Sequence, residues 1–237
     1  MNVLAVVAHP DDELLGCGAT LRRLADEGHN VYSCVLGANA EARHERPDLA
    51  RLRAVAAESS KMVGIAETVS YTFPNIQFNT VPHLEMVRAI EEAVIRFRPS
   101  WIFTHFPGDL NVDHRVTHEA TMAAASLPQR LSRDLDPRLI ERIYLFEIPT
   151  STDWAWPVAG GFVPNAFVAI ERTLEVKIAA LRKFEGALKS PPHARTEGTI
   201  RALAKVRGAQ VNVEAAEAFQ LVRHVEFEPQ STKAGND

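Results

Sequence analysis

Five residues near the start of the chain, His9-Pro10-Asp11-Asp12-Glu13, hold one imidazole and three carboxyl groups. Acids this close together repel one another, so a cation among them would relieve the repulsion. A plain strand-to-helix turn explains one of them, since Asp11 or Asp12 can cap a helix that follows. It does not explain all four groups. A second polar run covers residues 104–115 and reads THFPGDLNVDHR. Imidazole nitrogens and carboxylate oxygens together suit zinc and similar divalent ions. A catalytic ion needs three protein ligands and an open position, and His9, Asp12 and one later histidine would supply that set.

The two runs are far apart in sequence, so the fold must bring them together. Val3 to Ala8 is a continuous apolar run, the pattern of a strand buried on both faces. Further strands are expected at Asn30 to Leu36, Val69 to Phe73, Trp101 to Phe106, Ile140 to Ile148 and Asn165 to Ile170. Helical spacing marks Gly16 to Glu27 (with Gly28 as a C-cap), Leu49 to Val63, Leu84 to Phe97, Val116 to Ala125, Arg172 to Leu188 and Thr199 to Val206. Glu214 to Val225 fits helix and strand equally. Alternation of strand and helix predicts an α/β chain, a Rossmann-like three-layer fold with a mostly parallel central sheet. Both polar runs then follow the C-terminal ends of parallel strands, on the sheet edge where such folds bind ligands. One domain is expected over residues 1–228, with a polar, flexible tail at 229–237.

Composition narrows the classes. The chain has 237 residues, 46% hydrophobic and 24% charged, with a formal net charge of −4 and no long basic run. That speaks against nucleic acid or an anionic membrane as the main partner. Two isolated cysteines, Cys17 and Cys34, and a start without a positively charged leader predict a cytoplasmic, soluble protein. A homo-oligomer is compatible with this composition.

The motifs resemble the PIG-L/LmbE family of metal-dependent N-deacetylases. The likeness rests on AHPDDE at 8–13 and the distant Asp113-His114 pair, supported by LGCG at 15–18, GDLNVDHR at 108–115, LAKVRG at 203–208 and AEAF at 216–219. It spans most of residues 2–223. The resemblance implies that His9, Asp12 and His114 bind one divalent metal ion, with Zn2+ as the default and Fe2+, Co2+ or Ni2+ fitting the same ligands. It implies Asp11 as general base in hydrolysis of an N-acyl group, most simply acetyl, on an amino sugar such as an N-acetylglucosamine derivative or a related glycoside. Adjacent Asp11 and Asp12 cannot easily both bind one small ion, which leaves one for proton transfer. The chain departs from the commonest pattern at Asn111, where many members carry histidine. Asparagine can donate a hydrogen bond to an oxyanion but cannot shuttle a proton. Asp113 is expected to orient a ligand histidine from behind.

Other residues are weaker candidates. His118 stands four residues after His114 on one helix side, and His105 ends a strand; both are read as structural rather than ligating. Arg51, Arg53, Trp154, Trp156, His193 and Arg195 could meet substrate or simply be surface and packing residues. Two histidines and a carboxylate also form the facial triad of iron enzymes that activate oxygen. A nucleotide- or sugar-binding module without catalysis is a further alternative, weakened by the absence of a GxGxxG run after the first strand.

Overall fold

In a computed structural model, residues 1–38, 49–130, 135–136, 138–154 and 160–228 are described. The tail expected at 229–237 lies outside them. Seven strands form one sheet: β1 (Asn2–Val7), β2 (Asn30–Val35), β3 (Ile65–Ser70), β4 (Trp101–His105), β5 (Arg142–Phe146), β6 (Ala166–Ala169) and β7 (Ala216–His224). Their order is β3-β2-β1-β4-β5-β7-β6. The first five neighbours run parallel, and β7 is antiparallel to both β5 and β6. The sheet is therefore mixed and mostly parallel. The chain leaves β1 for β2 on one side and returns to β4 on the other, so strand order switches between β1 and β4.

β1 sits in the middle, and its side chains alternate between two cores. Val3, Ala5 and Val7 join one core and Leu4, Val6 and Ala8 the other. The first takes Leu21 and Leu24 of helix α1 (Asp12–Asp26), Leu52 of α2 (Leu49–Met62), Ile178 and Leu181 of α6 (Leu174–Lys183), and Ile200 and Ala204 of α7 (Glu197–Ala209). The second takes Met86, Ile90 and Val94 of α3 (His83–Phe97), Ala120 and Ala124 of α4 (Val112–Ala124), and Leu127 of the short α5 (Leu127–Arg130). Burial on both faces explains the unbroken apolar run of β1.

Several elements differ from their sequence expectation. The third strand begins at Ile65, earlier than the expected Val69, and alternates buried and exposed residues. It is an edge strand, so it lacks the continuous apolar run that marks a central one. The ambiguous segment at 214–225 is strand β7, held between β5 and β6. Helix α4 starts at Val112 rather than Val116, because the Asn111 side chain accepts the Asp113 N–H and caps it. Helix α6 ends at Lys183, short of the expected Leu188.

α1 starts at Asp12, ahead of the expected Gly16, and is broken at Cys17 (φ −144°, ψ 15°). Gly16 lies so close to Phe146 of β5 that a Cβ there would sit 2.3 Å from the ring, which binds the first turn tightly to the sheet. At its other end α1 closes through Gly28 (φ +85°), whose N–H donates to the Ala25 carbonyl while His29 N–H donates to Leu24. The break frees backbone groups, and a buried ion pair satisfies them. Lys177 Nζ donates to the Leu15 carbonyl at 2.7 Å and to Glu217 at 2.6 Å. Glu217 in turn accepts the Ala19 and Thr20 N–H groups at 3.2 and 2.7 Å.

Removing one partner of such a pair leaves an uncompensated buried charge, at a cost of about 3–5 kcal/mol. Lys177→Met and Glu217→Leu should both destabilise the protein on that scale in urea unfolding. Glu217→Leu should cost more, because it also orphans two backbone donors. The reverse order would refute the role assigned to Glu217.

Candidate metal centre

The sheet delivers both polar runs to one place. His9 follows β1, and Asp12 is the first residue of α1. His105 ends β4, and Asp113 and His114 lie in the first turn of α4. Asp12 Oδ2 is the hub. It accepts the His9 backbone N–H at 2.8 Å and lies 3.4 Å from His9 Nδ1 and 3.4 Å from His114 Nε2. Each of His9, Asp12 and His114 offers a ligand atom within 4.8 Å of the other two. A tetrahedral ion bound at ~2.0–2.1 Å holds its ligands roughly 3.3–3.4 Å apart, so the two contacts at Asp12 match the spacing that a small divalent ion requires.

The far nitrogens of both imidazoles face carboxylates. His9 Nε2 donates to Asp113 Oδ2 at 2.9 Å. His114 Nδ1 lies 3.2 Å from Asp109 Oδ1, off the line of a good hydrogen bond. Such partners fix the ring orientation and raise ligand basicity. Both carboxylates are themselves tied down. Asp113 accepts the Phe78 N–H at 3.0 Å and the Ile76 N–H at 2.5 Å. Asp109 accepts Asn111 N–H, Ser151 Oγ and Thr152 Oγ1 at 2.7–2.9 Å. The loop carrying Ile76 bears strain, since a β-branched residue at φ 61° costs on the order of 1–3 kcal/mol.

The field of the site favours positive charge. Burial pushes the His9 pKa down, but Asp113 and Asp12 overcome it and lift it to about 9. Burial also opposes charge on His114, and Asp12 and Asp109 raise it to about 10. Burial would raise the Asp12 carboxyl, yet the surrounding histidines hold it well below its usual range.

The remaining histidines serve the frame. His105 Nε2 accepts the Ala8 N–H at 3.0 Å, so that nitrogen is engaged although it lies 3.5 Å from Asp12. Burial and the neighbouring His114 keep this imidazole neutral, and the two rings stack at 4.1 Å. His118 Nδ1 donates to the His105 carbonyl at 3.0 Å.

A cavity of about 270 Å³ opens on the centre, with Asp11, Asn75, Asn111, Thr150, Ser151 and Arg195 in its wall. Asp11 has a left-handed backbone (φ 96°), just ahead of α1. Arg51 pairs with Glu185 at the surface, and Arg53 lines a separate cavity beneath α2. His193 accepts the Arg195 N–H, and Trp154 is 67% exposed. Trp156 lies outside the described residues. Burial raises the Cys34 thiol to about 12 and Cys17 well above its usual value, which leaves neither as a nucleophile at neutral pH. Asp109 is a site residue that sequence reasoning missed. The only signal was its place in GDLNVDHR, two residues before Asn111.

The profile of the family described as PIG-L, GlcNAc-PI de-N-acetylase, matches residues 4–125. The chain belongs to the PIG-L family. The match runs from within β1 to the end of α4 and includes His9, Asp11, Asp12, Asp109, Asn111, Asp113 and His114. Among curated relatives, a protein of Escherichia coli K12 named uncharacterized deacetylase YaiS is 29% identical over 77% of this chain and 89% of its own length. Diacetylchitobiose deacetylase of Thermococcus kodakarensis is 25% identical over 93% of this chain and 83% of its own. The crystal structure of GalB, the 4-carboxy-2-hydroxymuconate hydratase of Pseudomonas putida KT2440, superposes with a TM-score of 0.76 at 18% identity, covering 96% of this chain and 98% of that one. The PIG-L fold is thus shared with a protein named for a different reaction, and the chemistry must be argued from the site.

Asp113 is not one of the three candidate ligands, yet it orients His9 and anchors the 76–78 loop. Asp113→Ala should weaken zinc binding about 10- to 100-fold with all three ligands in place. Competition against a chromophoric chelator measures this, and unchanged affinity would remove Asp113 from the site.

Proposed function

We propose that this PIG-L protein is a cytoplasmic, metal-dependent N-deacetylase acting on an N-acetylated amino sugar or related glycoside, with a single catalytic domain of three layers over residues 1–228. The observation that carries the reading is the triad His9, Asp12 and His114 with a second carboxylate, Asp11, beside it in the same cavity wall. The donor set fits Zn2+ best, since two imidazoles, one carboxylate and an open side are a hydrolytic zinc arrangement.

A divalent ion held there would lower the pKa of water towards ~7 and polarise the acyl carbonyl. The protein's residues supply the rest. Asp11 takes the proton of the attacking water, and later gives a proton to the leaving amine nitrogen. Asn111 uses its Oδ1 to cap α4, so its Nδ2 remains as a neutral donor towards the acyl oxygen. Asp113 and Asp109 hold His9 and His114 in register.

The cavity supports this substrate class. A volume of about 270 Å³ suits one sugar ring. Asn75, Thr150 and Ser151 offer hydrogen bonds to hydroxyl groups, while Ile76 and Leu52 offer apolar surface to a ring face. The name of the Thermococcus relative points to the same class. Oxygen activation by iron would use the same ligands, but it gives Asp11 no task.

Two variants separate the roles. Asp11→Asn should retain one metal per chain and lose about 10²- to 10⁴-fold in kcat for acetate release from N-acetylated sugars. His114→Ala should lose both metal and activity. Equal metal loss in the two variants, read by elemental analysis, would defeat this division.

A further inference from the structure

Arg195 is the one lysine or arginine in the wall of the catalytic cavity among the described residues. The chain presents it firmly. Its backbone N–H donates to His193 Nδ1 at 3.0 Å, its carbonyl accepts the Lys189 N–H at 3.1 Å, and the next residue, Thr196, caps α7. The guanidinium reaches back to the head of α1, where Nη1 lies 3.7 Å from Asp11 Oδ2. That distance is too long for a hydrogen bond. Nε is out of water and has no partner among the described residues. An arginine has five donors, and leaving them unmade away from water is costly. This guanidinium therefore lies beside the proposed base with its buried Nε donor unspent.

The other electrophile in the wall is weak. Asn111 is a neutral amide whose side-chain oxygen is committed to the helix cap. A neutral amide cannot supply positive charge. We propose that Arg195 supplies it: its guanidinium binds the substrate's acyl oxygen and stabilises the negative charge that develops there.

This rests on the deacetylase reading. As water oxygen bonds to the acyl carbon, the carbonyl π pair moves onto the acyl oxygen, facing Arg195, and Asp11 takes the water proton. When that pair re-forms the carbonyl, the C–N bond breaks and its electrons leave on nitrogen, which receives a proton from Asp11. The products are acetate and the free amine. Arg195 changes no covalent bond and stays protonated throughout.

The test compares zinc-loaded wild type, Arg195→Gln and Arg195→Lys. Loss of one oxyanion donor costs about 10²- to 10³-fold in kcat, and Arg195→Gln should show that loss with KM changed less than about threefold. Arg195→Lys should fall between the two. Guanidinium ion added at tens of millimolar should restore part of the Arg195→Gln rate, which a folding defect would not allow. Acetate, the product carrying the same oxygen, should bind Arg195→Gln at least fivefold more weakly by calorimetry, with zinc content unchanged. A rise in KM with kcat intact, no rescue, or unaltered acetate affinity would overturn the proposal. If wild type hydrolyses neither N-acetylglucosamine nor N,N′-diacetylchitobiose, the deacetylase reading is what fails, and the acetate titration still decides whether Arg195 holds the carboxylate oxygen.

Discussion

Strands β1 and β4 run side by side and parallel, with Val3 opposite Trp101 and Ala5 opposite Phe103. His9, Asp11 and Asp12 follow the first of these strands, and Asp109, Asn111, Asp113 and His114 follow the second. The ends are joined by a hydrogen bond from the Ala8 N–H to His105 Nε2. Because Ala8 precedes His9 and His105 is buried against His114, this bond sets the spacing between the two polar runs. A shift of one residue in either strand would turn the site residues to the opposite face of the sheet. The apolar interior of β1 exists to hold that register.

Upon this frame the centre is built in shells. Asp12 draws His9 and His114 together, and Asp113 and Asp109 grip them from behind. The outer carboxylates are held by backbone donors of the 76–78 loop and by Ser151 and Thr152 from beyond β5. Four parts of the chain thus converge on two imidazoles. The surplus of carboxylates also explains why both rings favour the charged form despite burial. Such a surplus of negative charge suits a cation.

Much of this was legible in the sequence, because the signals were local. The apolar run of β1, the HPDDE turn and the Asp113-His114 pair each announce themselves within a few residues. Parallel topology then implied that they meet. What escaped notice depends on contacts distant in sequence. The break in α1 at Cys17 is stabilised by Lys177 and Glu217, about 160 and 200 residues away, and no local pattern encodes that. Edge strand β3 was placed late because one of its faces is exposed. Asp109 is tied to the site by Ser151 and Thr152, 42 and 43 residues further on. Arg195 was one of several candidate surface arginines, and only the fold puts its guanidinium beside Asp11.

Likeness to a hydratase structure shows that the scaffold does not dictate the reaction, so the account stands on the metal centre and its adjacent base. X-ray absorption at the zinc edge of the reconstituted protein examines that centre most directly. The account predicts one zinc per chain with two imidazole nitrogens and one carboxylate oxygen at ~2.0–2.2 Å, plus a light atom from solvent in the open position. Sulfur in the first shell, a single imidazole, or failure to take up any divalent metal would contradict it.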